Sequence, residues 1–218
     1  MISRANKRLQ DPGRVDLMLR FERELWAQGI RNIAGIDEAG RGPLAGPVVA
    51  AAVVVAPGFF LNAVDDSKKL NPILRRDLYG RIMEGAVSVG VGIVDHDVID
   101  EINILNATFV AMRKAVDALT MIPEFLLIDG NRFIGGEIPF ATIVDGDSLS
   151  FSIAAASIIA KVSRDRIMLD YDSQYPEYGF ARHKGYGTRE HRSAILRYGM
   201  CSIHRKSFSP NLIGVCSS

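Results

Sequence analysis

Cysteine and histidine are scarce in this chain of 218 residues, which contains two cysteines and four histidines. The two cysteines, Cys201 and Cys216, are too few for a disulfide framework, as is typical of proteins from a reducing compartment. Cys201 and His204 have the spacing of half a zinc site, but no second pair at a suitable spacing completes it. The sequence therefore excludes a disulfide scaffold and argues against zinc.

Long apolar runs and a charge of one sign are also missing. No stretch reaches the roughly 18 apolar residues of a membrane span, and residues 1–14 lack the apolar core of a secretory signal. Lys and Arg number 26 against 25 Asp and Glu, so any basic surface for a nucleic acid must be local. We expect a cytoplasmic protein that does not bind membranes, and we expect a monomer.

The apolar pattern predicts an α/β domain. With 48% hydrophobic residues, the chain can bury a substantial core, and short apolar strands alternate with amphipathic helices. Residues 33–36 and 47–55 are predicted to form a hairpin across a glycine-rich turn, which makes the central sheet mixed. The other predicted elements are a helix over 15–28 in an N-terminal extension (1–30), a helix from the cap Asn71 towards Met83, a helix over 98–119, strands over 87–94, 125–128 and 141–144, and a long helix capped by Ser152.

Four acids follow apolar strand-like segments: Asp37, Glu38, Asp129 and Asp147. Hard oxygen ligands without histidine or cysteine beside them suit Mg²⁺ or Mn²⁺. Two such ions about 4 Å apart can activate water and stabilise the leaving oxygen of a phosphodiester. Each acid, taken alone, is equally well explained as a turn former or a solvated loop end. Adjacent strand residues point to opposite faces, so we expect the first strand to end or bulge at Asp37 and Glu38.

The C-terminal region from about residue 175 is polar, aromatic and basic. Between residues 180 and 206 the sequence contains a single acid, Glu190, and seven basic residues: Arg182, Lys184, Arg189, Arg192, Arg197, Arg205 and Lys206. Such a cluster can contact phosphates, and Tyr186 within the same segment can stack on a sugar or a base. A solvated basic surface explains the charges equally well.

Two further segments have both a structural and a functional interpretation. Gly40, Arg41 and Gly42 form either an ordinary tight turn or a loop that approaches a sugar-phosphate backbone. The loop lacks the Gly-Lys-Ser/Thr ending of a phosphate-binding nucleotide loop, which argues against an ATPase. Lys68 lies in a polar segment that a solvated loop also explains. Asp165, four residues after Lys161, indicates an ion pair on the long helix.

Residues 35–48, GIDEAGRGPLAGPV, closely resemble the opening motif of ribonuclease HII. Later segments are similar to the later blocks of that family, in the same order: DSKKL at 66–70, LIDGN at 127–131, SIAAASIIAKV at 152–162, HKGY at 183–186 and HRKSF at 204–208. The resemblance extends from about residue 31 to 210, which is far more specific than one short motif.

The resemblance implies a ribonuclease H-like catalytic domain over 31–218, with a mixed sheet, flanking helices and a C-terminal substrate-binding tail. It implies that two Mg²⁺ or Mn²⁺ ions are bound by Asp37, Glu38, Asp129 and Asp147. The implied reaction is hydrolysis of RNA in an RNA/DNA hybrid, or cleavage 5′ of a single ribonucleotide in duplex DNA, giving 3′-hydroxyl and 5′-phosphate ends. The implied substrate contacts are Gly40, Arg41, Gly42, Lys68, Lys184, Tyr186 and Arg205, which would sense the 2′-hydroxyl that distinguishes RNA from DNA.

The sequence departs from the family pattern at one position. Family members commonly have a lysine two positions before the fourth acid, whereas this chain has Asp145 there, so Asp145 competes with Asp147 for the ligand role. The 30 residues before the matched region are too few for the extra domain of ribonuclease HIII. Two other hypotheses stay open: a non-catalytic duplex-binding protein, and a phosphatase or nucleotidyl enzyme that uses the same acids on a small molecule.

Overall fold

The computed structural model describes residues 12–208. The outer parts of the proposed extension and tail, residues 1–11 and 209–218 with Cys216, lie outside the described residues. The predicted helix over 15–28 is divided into two short helices, α1 (Pro12–Met18) and α2 (Arg20–Ala27). They meet at Leu19, which is buried in the core with Met18. The apolar periodicity continues across this single irregular residue, so the sequence pattern did not reveal the break.

A five-stranded mixed sheet forms the centre of the fold. Its strands are β1 (Ile33–Ala39), β2 (Val48–Val54), β3 (Ser88–Val94), β4 (Phe125–Asp129) and β5 (Phe140–Ile143), in the spatial order β3-β2-β1-β4-β5. The predicted hairpin is confirmed, because β1 pairs antiparallel with β2. On its other side β1 pairs parallel with β4, and β4 pairs parallel with β5. The carboxyl ends of β1 and β4 therefore lie side by side.

Helices cover both faces of this sheet. They are α3 (Pro72–Gly85), α4 (His96–Asp117), the one-turn α5 (Gly146–Leu149) and α6 (Phe151–Gln174). One apolar core lies between the sheet, α3 and α6, and a second lies between the opposite face and α4. The long helix α6 crosses β1 at Gly35, where an added Cβ would lie 2.1 Å from the backbone carbon of Ser152. This close approach fixes the height of α6 above the sheet.

The helix starts agree with the sequence only in part. Asn71 caps α3 as predicted, since its side chain accepts from the amides of Ile73 and Leu74. The predicted cap of the long helix is wrong, because Ser150, and not Ser152, accepts from the amide of Ile153. An N-cap binds the amide three residues on, so the helix starts two residues earlier than the pattern indicated.

The hydroxyl of Ser152 is used by the N-terminal helix instead. The buried carboxylate of Glu22 in α2 accepts hydrogen bonds from the hydroxyls of Ser150 and Ser152, each with a length of 2.7 Å. It also accepts one of 2.9 Å from the amide of Ser152. A negative charge at a helix N-terminus is stabilised by the helix dipole. Glu22 thus fastens the segment before the sheet to the start of α6.

Helix α4 begins two residues before the predicted start and contains an irregularity. Asn103 has φ 65°, and its side-chain oxygen accepts from the amides of Leu105 and Asn106. Asn103 therefore interrupts one helix and caps the next, which a count of apolar positions does not detect.

The C-terminal region packs as a small unit against α6. It contains α7 (Phe180–His183) and α8 (Arg189–Tyr198), and Tyr178, Phe180 and Ile195 form its core together with Met168 of α6. Across residues 12–208, every helix is too short or too polar to cross a membrane.

Candidate active site

The acids predicted as ligands lie at the carboxyl ends of the two central strands. Asp37 and Glu38 are in β1, Asp129 is the last residue of β4, and Asp147 is in α5, directly before α6. The amide of Gly146 donates to the carboxylate of Asp129 over 2.7 Å, which ties α5 to the end of β4. Four acids that are distant in sequence are thereby gathered at one end of the sheet.

The expectation that the first strand ends or bulges at the paired acids is wrong. β1 keeps a constant register with β2 through the pairs Asp37 with Ala51 and Glu38 with Ala50. The parallel pairing of β1 with β4 ends there instead, since its last pair is Ile36 with Ile128. Asp37 faces α6, where the nearby Ser157 hydroxyl favours its charged form. Glu38 lies beyond the end of the parallel pairing, so it stays within electrostatic range of Asp37 and Asp129.

Ionisation of these acids is opposed by their surroundings. Burial raises the pKa of Asp37 well above its usual range, and the charges of Glu38 and Asp129 raise it further. Burial is also the largest cause of the raised pKa of Glu38 and of Asp129. For Asp147, burial followed by repulsion from Asp66 and Asp129 raises the pKa to about 6. Such shifts mark groups whose charges lack sufficient compensation.

The donor set fits a hard divalent cation by its chemistry, because it consists of carboxylate oxygens without thiol or imidazole. Only partial compensation comes from cations of the protein. Burial lowers the pKa of Lys68, but Asp66, Asp37, Asp147 and Asp129 outweigh this effect and raise it. The Arg41 guanidinium lies 3.3 Å from the Glu38 carboxylate. Within residues 12–208, no three His, Cys, Asp or Glu side chains are arranged so that they could hold one ion.

The loop between β1 and β2 lies beside these acids. Two buried arginines hold it through hydrogen bonds to its carbonyls. Arg205 donates from three nitrogens to the carbonyls of Gly40, Arg41 and Gly46, at 2.6–2.9 Å. Arg164 of α6 donates to the carbonyls of Pro47, Ala45 and Lys184. Gly40 has φ 97°, and an added Cβ would lie 2.1 Å from Arg164. Glycine is therefore required at this position.

This placement changes the role that we assign to Arg205. The side chain is 1% exposed, and its guanidinium points at the loop backbone rather than at solvent. The sequence analysis predicted a direct substrate contact for Arg205. We revise that role to positioning of the loop, because each of the side chain's nitrogens already donates to a carbonyl.

The other predicted substrate contacts line one open groove beside the acids. The groove is bordered by Glu38, Gly40, Arg41, Gly42, Lys68, Lys184 and Tyr186. Tyr186 is 43% exposed, and a Cβ added to Gly42 would lie 3.8 Å from its ring. Of the seven basic residues in the C-terminal cluster, only Arg182 and Lys184 line this groove. Arg75 and Lys161 supply further positive charge, and the predicted pair of Lys161 with Asp165 is confirmed at 2.6 Å.

Comparison with known proteins shows which family the chain belongs to. Residues 34–210 match the family model of ribonuclease HII. The ribonuclease HII of Geotalea uraniireducens (strain Rf4) is 59% identical over 191 residues, 88% of each chain. That of Ruminiclostridium cellulolyticum is 50% identical over 208 residues, which cover 95% of this chain and 82% of the relative. The chain belongs to the ribonuclease HII family.

Solved structures agree with the family and with its fold. The ribonuclease H2 of Pyrococcus horikoshii OT3 superposes with a TM-score of 0.70 at 25% identity, covering 84% of this chain and 98% of that one. A Bst-RNase HIII in complex with Mn²⁺ has a TM-score of 0.60 at 22% identity, covering 86% and 70%, which shows the fold alone. The ribonuclease H-like fold and the prediction of a ribonuclease of the HII family are thus confirmed.

The ribonuclease HII site contains residues that the sequence did not single out. Asp66 lies close enough to Asp147 for its charge to raise the pKa of Asp147, and Ser157 lies close enough to Asp37 to lower that of Asp37. Both residues belong to motifs that resemble the family, which was the available signal. Arg164 gave no such signal, because it lies outside the segments that resemble the family motifs. The geometry favours Asp147 over Asp145 as a ligand, since Asp147 is buried beside Asp129 whereas Asp145 is exposed.

Proposed function

We propose that this protein hydrolyses the RNA strand of RNA/DNA hybrids and cuts duplex DNA on the 5′ side of a single embedded ribonucleotide. The observation that carries the proposal is the location of the acids at the end of the sheet, directly beside the groove formed by the glycine-arginine loop and Tyr186. A groove open along one side suits a strand better than an enclosed small molecule. Cleavage is expected to leave 3′-hydroxyl and 5′-phosphate ends.

Asp37, Glu38, Asp129 and Asp147 would hold two divalent ions, either Mg²⁺ or Mn²⁺. Such ions activate a water molecule and stabilise the leaving oxygen of a phosphodiester. Within the protein, the Glu38 amide orients Asp37 and the Gly146 amide orients Asp129. These hydrogen bonds limit rotation of the carboxylates, so that little reorganisation is needed when cations bind.

Recognition of the ribonucleotide is assigned to the rim of the groove. The loop Gly40 to Gly42 would bring backbone amides and the Arg41 guanidinium to the nucleotide that carries the 2′-hydroxyl. Tyr186 would pack against the following deoxyribose, and Lys68 and Lys184 would contact phosphates. Arg205 and Arg164 would keep the loop in the required conformation through their bonds to its carbonyls.

The activity is tested with end-labelled RNA/DNA hybrid and all-DNA duplex, each with Mg²⁺, Mn²⁺ or chelator. We expect metal-dependent cutting of the hybrid alone, reduced about a hundredfold or more by Asp37→Asn, because one transition-state contact of this kind contributes that much. Asp117→Asn, an exposed acid on α4, is the matched control and should keep full activity. Binding of hybrid without cutting under any metal would overturn the proposal.

We also propose that the enzyme acts as a monomer, in which hydrogen bonds within the chain bring the acids and the groove loop together. Sedimentation of the free protein and of its complex with hybrid measures this directly. A cytoplasmic location stays a prediction from the sequence.

A further inference from the structure

A layer of buried imidazole rings lies beneath the loop that carries Tyr186. His183, His191 and His204 are each at most 8% exposed. The rings of His183 and His191 stack with their centres 4.5 Å apart and their planes 15° apart. None of the three belongs to the acid cluster, so the proposed metal chemistry gives this layer no role.

The hydrogen bonds determine which nitrogen of His191 carries the proton. Its Nδ1 lies 3.0 Å from the carbonyl oxygen of Tyr186. A carbonyl only accepts, so Nδ1 of His191 must be protonated. The Nε2 of a neutral His191 is then an acceptor, and it lies 3.0 Å from Nε2 of His204. His204 must therefore donate from its Nε2.

The other end of this chain of hydrogen bonds gives the same assignment independently. The amide of Cys201 donates to Nδ1 of His204 over 2.9 Å, so this nitrogen is unprotonated and the proton is on Nε2. The Cys201 thiol lies 3.1 Å from the same nitrogen, and burial raises its pKa to about 11, which keeps it a donor. The Cys201 carbonyl is farther away, at 3.2 Å, and already accepts from the His204 amide.

We propose that His204 and His191 are positioning residues that hold the Tyr186 carbonyl and so fix the Tyr186 ring for recognition of the sugar next to a ribonucleotide. This inference rests on the proposed function, in which Tyr186 contacts that sugar. The Tyr186 carbonyl also accepts from the amide of Thr188 over 2.8 Å, so His191 supplies a second constraint. Because the ring lies close to Gly42, a shift of the Tyr186 backbone changes the gap between the ring and the loop.

The chain of hydrogen bonds from Cys201 through His204 and His191 to the Tyr186 carbonyl, here called the relay, requires neutral imidazoles. Their surroundings keep them neutral. Burial lowers the pKa of His191 to about 4 and also lowers that of His204. Protonation of His191 would place two N–H groups against each other at its contact with His204. His183 has separate partners, since its Nδ1 accepts from the Gly185 amide and its Nε2 lies 2.9 Å from the Tyr178 carbonyl. It supports His191 by stacking only.

The tautomers can be observed directly in the intact protein. Nitrogen-15 NMR of histidine-labelled enzyme near pH 7.5 should show His191 protonated on Nδ1 and His204 protonated on Nε2. Spectra of His191→Asn and His204→Asn assign the resonances, and His96→Asn, a histidine of α4 outside the layer, is the control. The opposite tautomer at either His191 or His204 would overturn the relay.

Kinetics on a duplex with one ribonucleotide test the consequence for Tyr186. His191→Leu should raise KM about fivefold with little change in kcat, as expected for the loss of one hydrogen bond outside the reacting atoms. His191→Asn retains a donor near the Nδ1 position and should restore most of the affinity. In a Tyr186→Ala background, His191→Leu should cause no further rise in KM.

The outcomes separate this inference from the proposed function. If His191→Leu and Tyr186→Ala raise KM by independent factors that multiply, His191 does not act through Tyr186 and the inference fails. If the wild-type enzyme cuts nothing, the proposed function fails, and the NMR tautomers still decide whether the relay exists. If His191→Leu does not fold, failure of His191→Asn to keep the wild-type KM overturns the inference.

Discussion

At the scale of single residues, the acids that we propose as cation ligands lower the stability of the folded protein. Asp37 and Asp147 are almost completely buried, and both have a pKa raised by burial and by neighbouring acids. Repulsion of this kind destabilises the folded protein at neutral pH when no cation compensates it. Active sites commonly carry such a cost, because stability and function select different residues there.

Asp37→Asn is therefore expected to make the protein more stable in chelator. The asparagine removes one buried charge and can still accept from the Glu38 amide, so we predict a rise in Tm of about 2–4 °C, equivalent to about 1 kcal/mol in a chain of this size. The wild-type protein should gain stability on addition of Mn²⁺, and the variant should gain much less. Thermal unfolding with and without Mn²⁺ measures both effects. A lower Tm of Asp37→Asn in chelator would contradict the account of the cluster.

At the scale of elements, local signals predicted what local contacts determine. The cap Asn71 and the strands of the hairpin were confirmed, because neighbours in sequence decide them. The extent of β1 was wrong, since a polar pair looks like a strand end whereas the antiparallel partner β2 continues past it. The cap of α6 was also wrong, because Ser152 bonds a residue 130 positions away. Tertiary partners override local preference in both cases.

The crossing of α6 over β1 gives a prediction of its own. Gly35→Ala would place a methyl group 2.1 Å from the backbone of Ser152, and neither backbone can move away cheaply. We expect a loss of about 3 kcal/mol or more in the free energy of unfolding. Gly80→Ala in α3 is the matched control, since nothing lies within 4 Å of its added Cβ, and it should gain about 0.5–1 kcal/mol. Urea denaturation compares the two variants, and equal effects would refute the proposed crossing.

The C-terminal unit should respond to acid through its buried histidines. The folded-state pKa of His191, about 4, is below the unfolded value of 6.5, so the unfolded chain binds more protons between these limits. Its contribution to stability is complete above pH 6.5 and is lost as the pH falls towards 4. The titratable groups that face His191 are His183 and His204, and His204 in turn contacts Tyr178 and Cys201. The stability difference between wild type and His191→Asn should therefore shift against the wild type over this range. A constant difference would show that His191 is not buried neutral.

At the scale of the whole molecule, the site depends on contacts that no sequence segment contains. The acids and the residues at the rim of the groove were predicted from sequence motifs, and the family resemblance predicted that they form one site. The arginines that hold the loop between β1 and β2 were not predictable, because Arg164 and Arg205 bind carbonyls more than 110 positions away in the sequence. Glu22, from the segment before the matched region, reaches the start of α6 in the same way. Buried charges directed at distant backbone leave no periodic pattern in a sequence.

The most direct test of the central claim is to map the cut in a DNA duplex that carries one ribonucleotide. The account predicts metal-dependent incision only on the 5′ side of that ribonucleotide, with 3′-hydroxyl and 5′-phosphate ends. Replacing the single 2′-hydroxyl by hydrogen should abolish the cut without abolishing binding of the duplex. Incision at other positions, or equal cutting of the all-DNA duplex, would contradict the claim that this groove recognises a ribonucleotide beside the acid cluster.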